Sequence, residues 1–154
     1  MHPSGSVDCS FKVWLHGAES EWFTAGERAA VLAVDGWRVA LAICFDAAHP
    51  AHAGEAAAAG GADVYAVSAR YTAAEGRRLD LQLGARAMDH RMYSVLANLG
   101  GSTPLGPSGG EERLLGRGRP RSPAGRRDGH RGPHRDAVAP GRPDLIFITP
   151  PPLS

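Results

Sequence analysis

The sequence predicts an α/β domain, and three observations carry that prediction. Apolar runs of strand length lie at 29–34, 39–43, 62–69 and 95–98, each bounded by turn residues. Helix-favouring segments at 50–60 and 77–93 alternate with them, as in folds that lay helices on a sheet. The alternation then stops. Ten of the twelve prolines and nine of the sixteen arginines lie beyond Gly100, which places an ordered domain at 1–108 and a disordered Arg/Gly/Pro-rich tail at 109–154.

In chain order, residues 1–10 carry little signal, and 7–15 fits a strand with Lys12 inside it. The stretch 17–26 (GAESEWFTAG) is polar and glycine-bounded and reads as a loop. A strand at 29–34 leads into Asp35-Gly36, a strong hairpin turn signal. The segment WRVALAICFDAAHPAH at 37–52 organises the rest: its apolar run ends on Cys44, and Pro50 suits the first position of a helix. A thiol where a buried strand runs out into a turn is presented at the edge of a core, although cysteine is also among the most buried residue types.

The alanine-rich 50–60 favours helix and is stopped by Gly60-Gly61. A buried strand follows at 62–69. The helix at 77–93 carries Leu79, Leu83, Ala87 and either Met88 or Arg91 on its apolar face, with Arg86, Asp89 and Arg91 assigned to its solvated side. A last short strand at 95–98 ends at Gly100-Gly101. Beyond Gly109 the text cannot bury enough apolar surface to offset its ordering entropy, apart from one apolar patch at 145–148.

Bulk properties narrow the class. A chain of 154 residues suits one domain, and a net charge of +1 gives no general case for nucleic acid or an anionic membrane. The tail arginines have no interleaved aromatics, which argues against stacking on RNA. Two cysteines, Cys9 and Cys44, make no disulfide framework, so the cytoplasm is the expected compartment. No stretch reaches the roughly 18 apolar residues of a membrane span, and the N-terminus lacks a signal-peptide pattern. Cys44, His49 and His52 are spaced loosely like metal ligands, but a structural zinc site needs a fourth; both histidines read as helix-start residues.

Three polar features remain: Lys12 in FKVWL, Glu19 and Glu21 in GAESEWFTAG, and Cys44 in AICFD. A thiol that attacks a carbonyl or nitrile carbon needs a base and an oxyanion stabiliser, roles that carboxylates and a cation fill when a fold assembles them.

The order K-x-x-L at 12–15, E-S-x-x-F-T-x-G at 19–26, D-G at 35–36 and I-C-F-D at 43–46 resembles the carbon–nitrogen hydrolase (nitrilase) superfamily. RAMDHRMYSVLANLGG at 86–101 is similar to that family's helix-and-strand segment after the cysteine, and the likeness covers about 7–108. It implies part of an α-β-β-α sandwich that hydrolyses an amide, N-carbamoyl compound or nitrile through a cysteine thioester. Cys44 is then the nucleophile, Lys12 the cation at the tetrahedral intermediate, and the backbone N–H of Phe45 a second oxyanion donor. Glu19 is the carboxylate that holds the lysine and substrate, with Glu21 the alternative if the register slips by two. The resemblance implies no metal or organic cofactor, a small-molecule partner and a homo-oligomer.

The departures are specific. The family's general base is a glutamate upstream of the lysine, and the eleven residues before Lys12 contain none. Where the family continues R-F-P-E, Ala48-His49-Pro50-Ala51 keeps only the proline. The pattern holds as far as 106–109 and then gives way to arginine–glycine–proline text, expected of a late start and a frameshifted C-terminus in a GC-rich gene; a genuine basic tail is the alternative. Two functional expectations follow: an impaired hydrolase, or a non-catalytic remnant that binds without turnover.

Overall fold

The computed structural model describes residue 5 and residues 7–104, 106–110 and 112–116. The apolar patch at 145–148 and the rest of the expected tail beyond 116 lie outside the described residues. No helix among those described is long and apolar enough to cross a membrane.

Strands β1 (Ala30–Val34) and β2 (Trp37–Ile43) form an antiparallel hairpin with Val34 opposite Trp37. Asp35 and Gly36 sit at φ 46° and 80°, the paired left-handed conformations of a type I′ turn. Helix α1 (Pro50–Ala58) carries the chain to β3 (Val64–Ala69), and helix α2 (Gly76–His90) to β4 (Tyr93–Asn98). Both new strands add in parallel, with Val39 beside Val64 and Val64 beside Tyr93. A small ladder of β5 (Ser102–Thr103) and β6 (Gly106–Pro107) precedes β7 (Glu112–Leu115), which pairs antiparallel with β4. The sheet order is β1-β2-β3-β4-β7, a parallel centre with antiparallel edges.

Alternation along the strands separates two faces. Ala40, Ala42, Tyr65, Val67 and Leu96 are buried against Ala53, Ala56, Leu79 and Leu83 of the helices. Each fully buried leucine contributes roughly 1.5–3 kcal/mol relative to exposure. The opposite face, with Val39, Leu41, Ile43, Val64, Ala66 and Val95, is half-buried, and a shallow cleft of about 620 Å³ runs over it past Trp37 and Tyr93. One sheet with helices on one face is half of the layering expected of an α-β-β-α sandwich.

Four local expectations are corrected. Residues 7–15 join no strand, because a side-chain carboxylate takes up the N–H groups of Val13 and Trp14. The stretch 17–26 contains a 3₁₀ turn, Gly17–Glu21. Helix α2 stops at His90 because Arg91 turns left-handed (φ 56°), which hands Tyr93 to β4, and Met88 is exposed. Strand β7 lies within the stretch whose composition assigned it to the tail; it is ordered by its ladder to β4 and by Arg113 reaching Asp80 on α2 at 2.8 Å.

Candidate active site at the carboxyl ends of the parallel strands

Cys44 follows the last residue of β2 and begins a 3₁₀ turn, Cys44–Ala48, at the end of the sheet where β3 and β4 also finish. Open α/β sheets place their binding crevices at such carboxyl ends. Cys44 is half-buried and has φ 49°, a left-handed conformation that costs a residue with a Cβ about 1–2 kcal/mol. Surrounding bonds hold it there. Ile43 N–H donates to Asp46 Oδ2 at 2.9 Å, and His49 N–H donates to the Asp46 carbonyl at 3.1 Å. Tyr71 O–H donates to the Cys44 carbonyl at 3.4 Å.

Arg86 corrects its assignment to a solvated face. It is buried on α2 and points its guanidinium at the carbonyls of Ala47 and Ala48, 3.4 and 3.5 Å away. Those carbonyls end the 3₁₀ turn and have few partners within it, so a planar fork of donors suits the place. Asp89 and Arg91 are exposed.

Lys12 and Glu19 form the second part of the site. Lys12 Nζ lies 2.5 Å from Glu19 Oε2, which also accepts the His16 N–H at 2.7 Å. The Lys12 ammonium first, and the His16 N–H second, hold the Glu19 carboxyl below the ordinary carboxylate range. Glu21 ends the same turn exposed, and Glu19 is the carboxylate that meets the lysine. Gly26 N–H donates to the Lys12 carbonyl at 2.8 Å, and a Cβ at Gly26 would lie 2.8 Å from Phe11 Cβ. Any larger residue there would have to displace Phe11.

One residue joins the two parts. Asp46 Oδ1 accepts the N–H groups of Val13 at 3.0 Å and Trp14 at 2.7 Å, so the backbone beside Lys12 is tied to the turn that begins at Cys44. Ring contacts run across the same boundary. Trp14 stacks on His49 with centroids 4.0 Å apart, and Phe45 meets His16 and His49 edge-on at 4.6 and 4.8 Å. Phe45 is the second residue of the 3₁₀ turn, where N–H groups lack a partner within the helix. Behind Asp46, buried His52 has Nδ1 2.9 Å from the Tyr65 hydroxyl and Nε2 3.8 Å from Asp46 Oδ2. Burial lowers the His52 pKa, and the Asp46 carboxylate partly opposes the shift. Among the described residues no group of three or more His, Cys, Asp or Glu side chains is arranged to hold a metal ion.

Tyr71 and Asn98 complete the strand ends. Asn98 accepts the Tyr71 N–H at 2.7 Å and donates to the Tyr71 carbonyl at 3.0 Å. Burial, with Cys44 alongside, pushes the Tyr71 hydroxyl up to about 12. Sequence reasoning gave no role to Asp46, Tyr71 or Asn98. Asp46 had a signal in I-C-F-D and Asn98 in its place before Gly100-Gly101, while nothing marked Tyr71. A cleft of about 1040 Å³ between residues 8–11 and β1 is lined by none of Cys44, Lys12 and Glu19; its walls include Cys9, Phe11, Arg28, Val31 and Gly60.

Neither a family model nor a curated protein sequence matches the chain. Solved structures do. A mutant of the amidase from Nesterenkonia sp. AN1, showing covalent addition of the acetamide moiety of fluoroacetamide at the active-site cysteine, is 30% identical with a TM-score of 0.61, over 68% of this chain and 40% of that one. A double mutant of the same amidase in complex with acrylamide is 30% identical with a TM-score of 0.65, over 73% and 44%. A CN-hydrolase superfamily protein from Xanthomonas campestris with an arsenic adduct in the active site has a TM-score of 0.66 at 20% identity, over 74% and 46%, a likeness of fold. The chain thus spans less than half the length of the amidase chains it matches. The fold this chain carries over its described residues is that of the carbon–nitrogen hydrolase (nitrilase) superfamily.

Proposed function

We propose that this chain carries the nucleophile part of a carbon–nitrogen hydrolase site and acts on a small amide, N-carbamoyl compound or nitrile. The observation that supports this most is the Lys12–Glu19 ion pair, bound through Asp46 to the turn that holds Cys44 in a left-handed conformation. The amidase relatives add an active-site cysteine that takes a covalent adduct, and complexes with butyramide and acrylamide.

On an amide, the Cys44 sulfur adds to the carbonyl carbon and the carbonyl electron pair moves onto oxygen. Lys12 and the Phe45 N–H stabilise that oxyanion, while Glu19 keeps the lysine in place. The C–N bond breaks as the nitrogen takes up a proton and leaves as ammonia or an amine. Water then cleaves the thioester, releases the acid and restores the thiol. Each half needs a base to move its proton.

A second reading is that the chain keeps a reactive thiol and binds without turnover. Both readings are tested in a Cys9→Ser background, since Cys9 is an exposed thiol that would compete. Ammonia release from acrylamide and butyramide is measured beside the rate of Cys44 alkylation by iodoacetamide. Alkylation that slows in Lys12→Ala supports an assembled site. Turnover abolished by Cys44→Ala supports the hydrolase, and rapid alkylation with little or no turnover supports the second reading. A thiol inert in every variant sinks both readings.

A further inference from the structure

We propose that Asp46 is a positioning residue that delivers Lys12 to Cys44, a role that rests on the reading of those two residues as parts of one site. The segment bearing Lys12 joins no strand, so no ladder fixes its depth over the sheet. Besides the Gly26 N–H on the Lys12 carbonyl, its backbone is held by a side chain. Asp46 is 1% exposed, and both its oxygens are occupied: Oδ1 by the N–H groups of Val13 and Trp14, Oδ2 by the N–H of Ile43. One carboxylate therefore binds residues on either side of a gap of about thirty positions, immediately after Lys12 and immediately before Cys44.

Ionised carboxylates accept such bonds about twice as strongly as neutral oxygens, and burial strengthens the contrast. An amide cannot replace this carboxylate. Turning its oxygen toward Val13 and Trp14 leaves its NH₂ facing the Ile43 N–H, donor against donor. The reverse orientation frees the Lys12 segment. His52 Nε2, 3.8 Å behind Oδ2, closes the far side of the carboxylate and leaves it little room to turn. Loosening a site by about 1 Å costs up to a hundredfold in rate, so the clamp's effect belongs in the chemistry as well as in stability.

The test uses the full chain with Cys9→Ser, comparing the parent, Asp46→Asn, Lys12→Ala and the double variant. Two readouts are taken: amide hydrogen exchange at residues 13 and 14, and Cys44 alkylation by iodoacetamide across pH. In Asp46→Asn the Val13 and Trp14 amides are expected to exchange faster while β3 and β4 stay protected. Its alkylation is expected to slow about tenfold, with the pH profile of Lys12→Ala, and the double variant to add nothing further. Unchanged protection at Val13 and Trp14 overturns the clamp, as does parental alkylation in a folded Asp46→Asn when Lys12→Ala is slow. If Lys12→Ala itself alkylates at the parental rate, the reading of Lys12 fails and hydrogen exchange alone decides the clamp. Should Asp46→Asn not fold, Val13→Pro removes one donor, leaves the carboxylate, and is judged by the same readouts.

Discussion

The Tyr71 hydroxyl donates to the carbonyl oxygen of Cys44 at 3.4 Å, joining the segment after β3 to the turn after β2. Tyr71 is 3% exposed, so its phenyl ring is part of the core and its hydroxyl sits where a bond to water is hard to make. Tyr71→Phe keeps the packing and removes the bond. Urea denaturation is expected to show a loss of about 1 kcal/mol. Its backbone pairing with Asn98 survives the change, so β3 and β4 should keep their register and the far-ultraviolet circular dichroism should be unaltered.

Glu19 and Glu21 stand two residues apart and differ entirely in surroundings. Glu19 meets Lys12 and the His16 N–H, whereas Glu21 faces solvent. Glu19→Gln should slow Cys44 alkylation, because Lys12 loses the charge that orients it, while Glu21→Gln should leave the rate unchanged. Equal effects from the two variants would mean that the lysine is held by something other than this ion pair. Glu19 is more than a third exposed, so its contribution to global stability is expected to be slight.

Asn98 stands in for a continued ladder at the end of β3 and β4. It satisfies the N–H and the carbonyl of Tyr71 with one planar amide. Ser108 Oγ and the Gly109 N–H also reach that carbonyl, at 3.1 and 2.8 Å, so the N–H is the group that Asn98→Ala leaves without its partner. Leaving a buried donor unmade costs roughly 1–3 kcal/mol. A thermal or urea midpoint shift of that size is expected. Asn98→Asp, which still accepts from the N–H but turns a carboxylate oxygen toward the carbonyl, should recover only part of it.

Much of this was legible because local signals and tertiary packing agree. The Asp35-Gly36 turn, the strand ending at Cys44 and the Leu79/Leu83/Ala87 face all rest on short-range rules, and the hairpin and the core follow them. What escaped are long-range substitutions of one kind of bond for another. Residues 7–15 have strand-like composition, yet Asp46 takes the N–H groups a neighbouring strand would have taken. Arg86 lies on the buried side of its helix because two carbonyls from a distant turn await it. Strand β7 is short and flanked by glycine and arginine, so only its ladder to β4 reveals it.

His52 gives the stability a direction with pH. Its folded pKa lies below the ordinary value near 6.5, chiefly through burial, with Asp46 opposing. The unfolded chain therefore takes up the proton first as the pH falls. Stability contributed by neutral His52 is complete above the ordinary value and is lost as the pH falls through that value toward the folded one. Urea midpoints are expected to begin to drop as the pH falls through about 6.5, where an ordinary histidine titrates, and to go on dropping below it. His52→Gln, which cannot titrate there, should flatten that part of the curve; an unchanged slope would move the effect to another group.

Gly26 links the packing of the N-terminal segment to the position of Lys12, and through it to the reactivity proposed for Cys44. Its N–H holds the Lys12 carbonyl at 2.8 Å, and its bare Cα lets Phe11 come close. A Cβ would lie 2.8 Å from Phe11 Cβ and 3.1 Å from the Phe11 carbonyl oxygen, so either the Phe11 backbone moves or the bond to Lys12 lengthens. Phe11 is 68% exposed, so little core packing resists the shift and the loss of stability should be modest, about 1 kcal/mol or less. The displacement falls on the residue next to Lys12. Gly26→Ala should therefore slow Cys44 alkylation by more than its stability loss suggests, and Gly26→Ser, whose Cβ meets the same atoms, should do the same. Parental alkylation in both variants would show that the 11–12 segment absorbs the extra atom without moving the lysine.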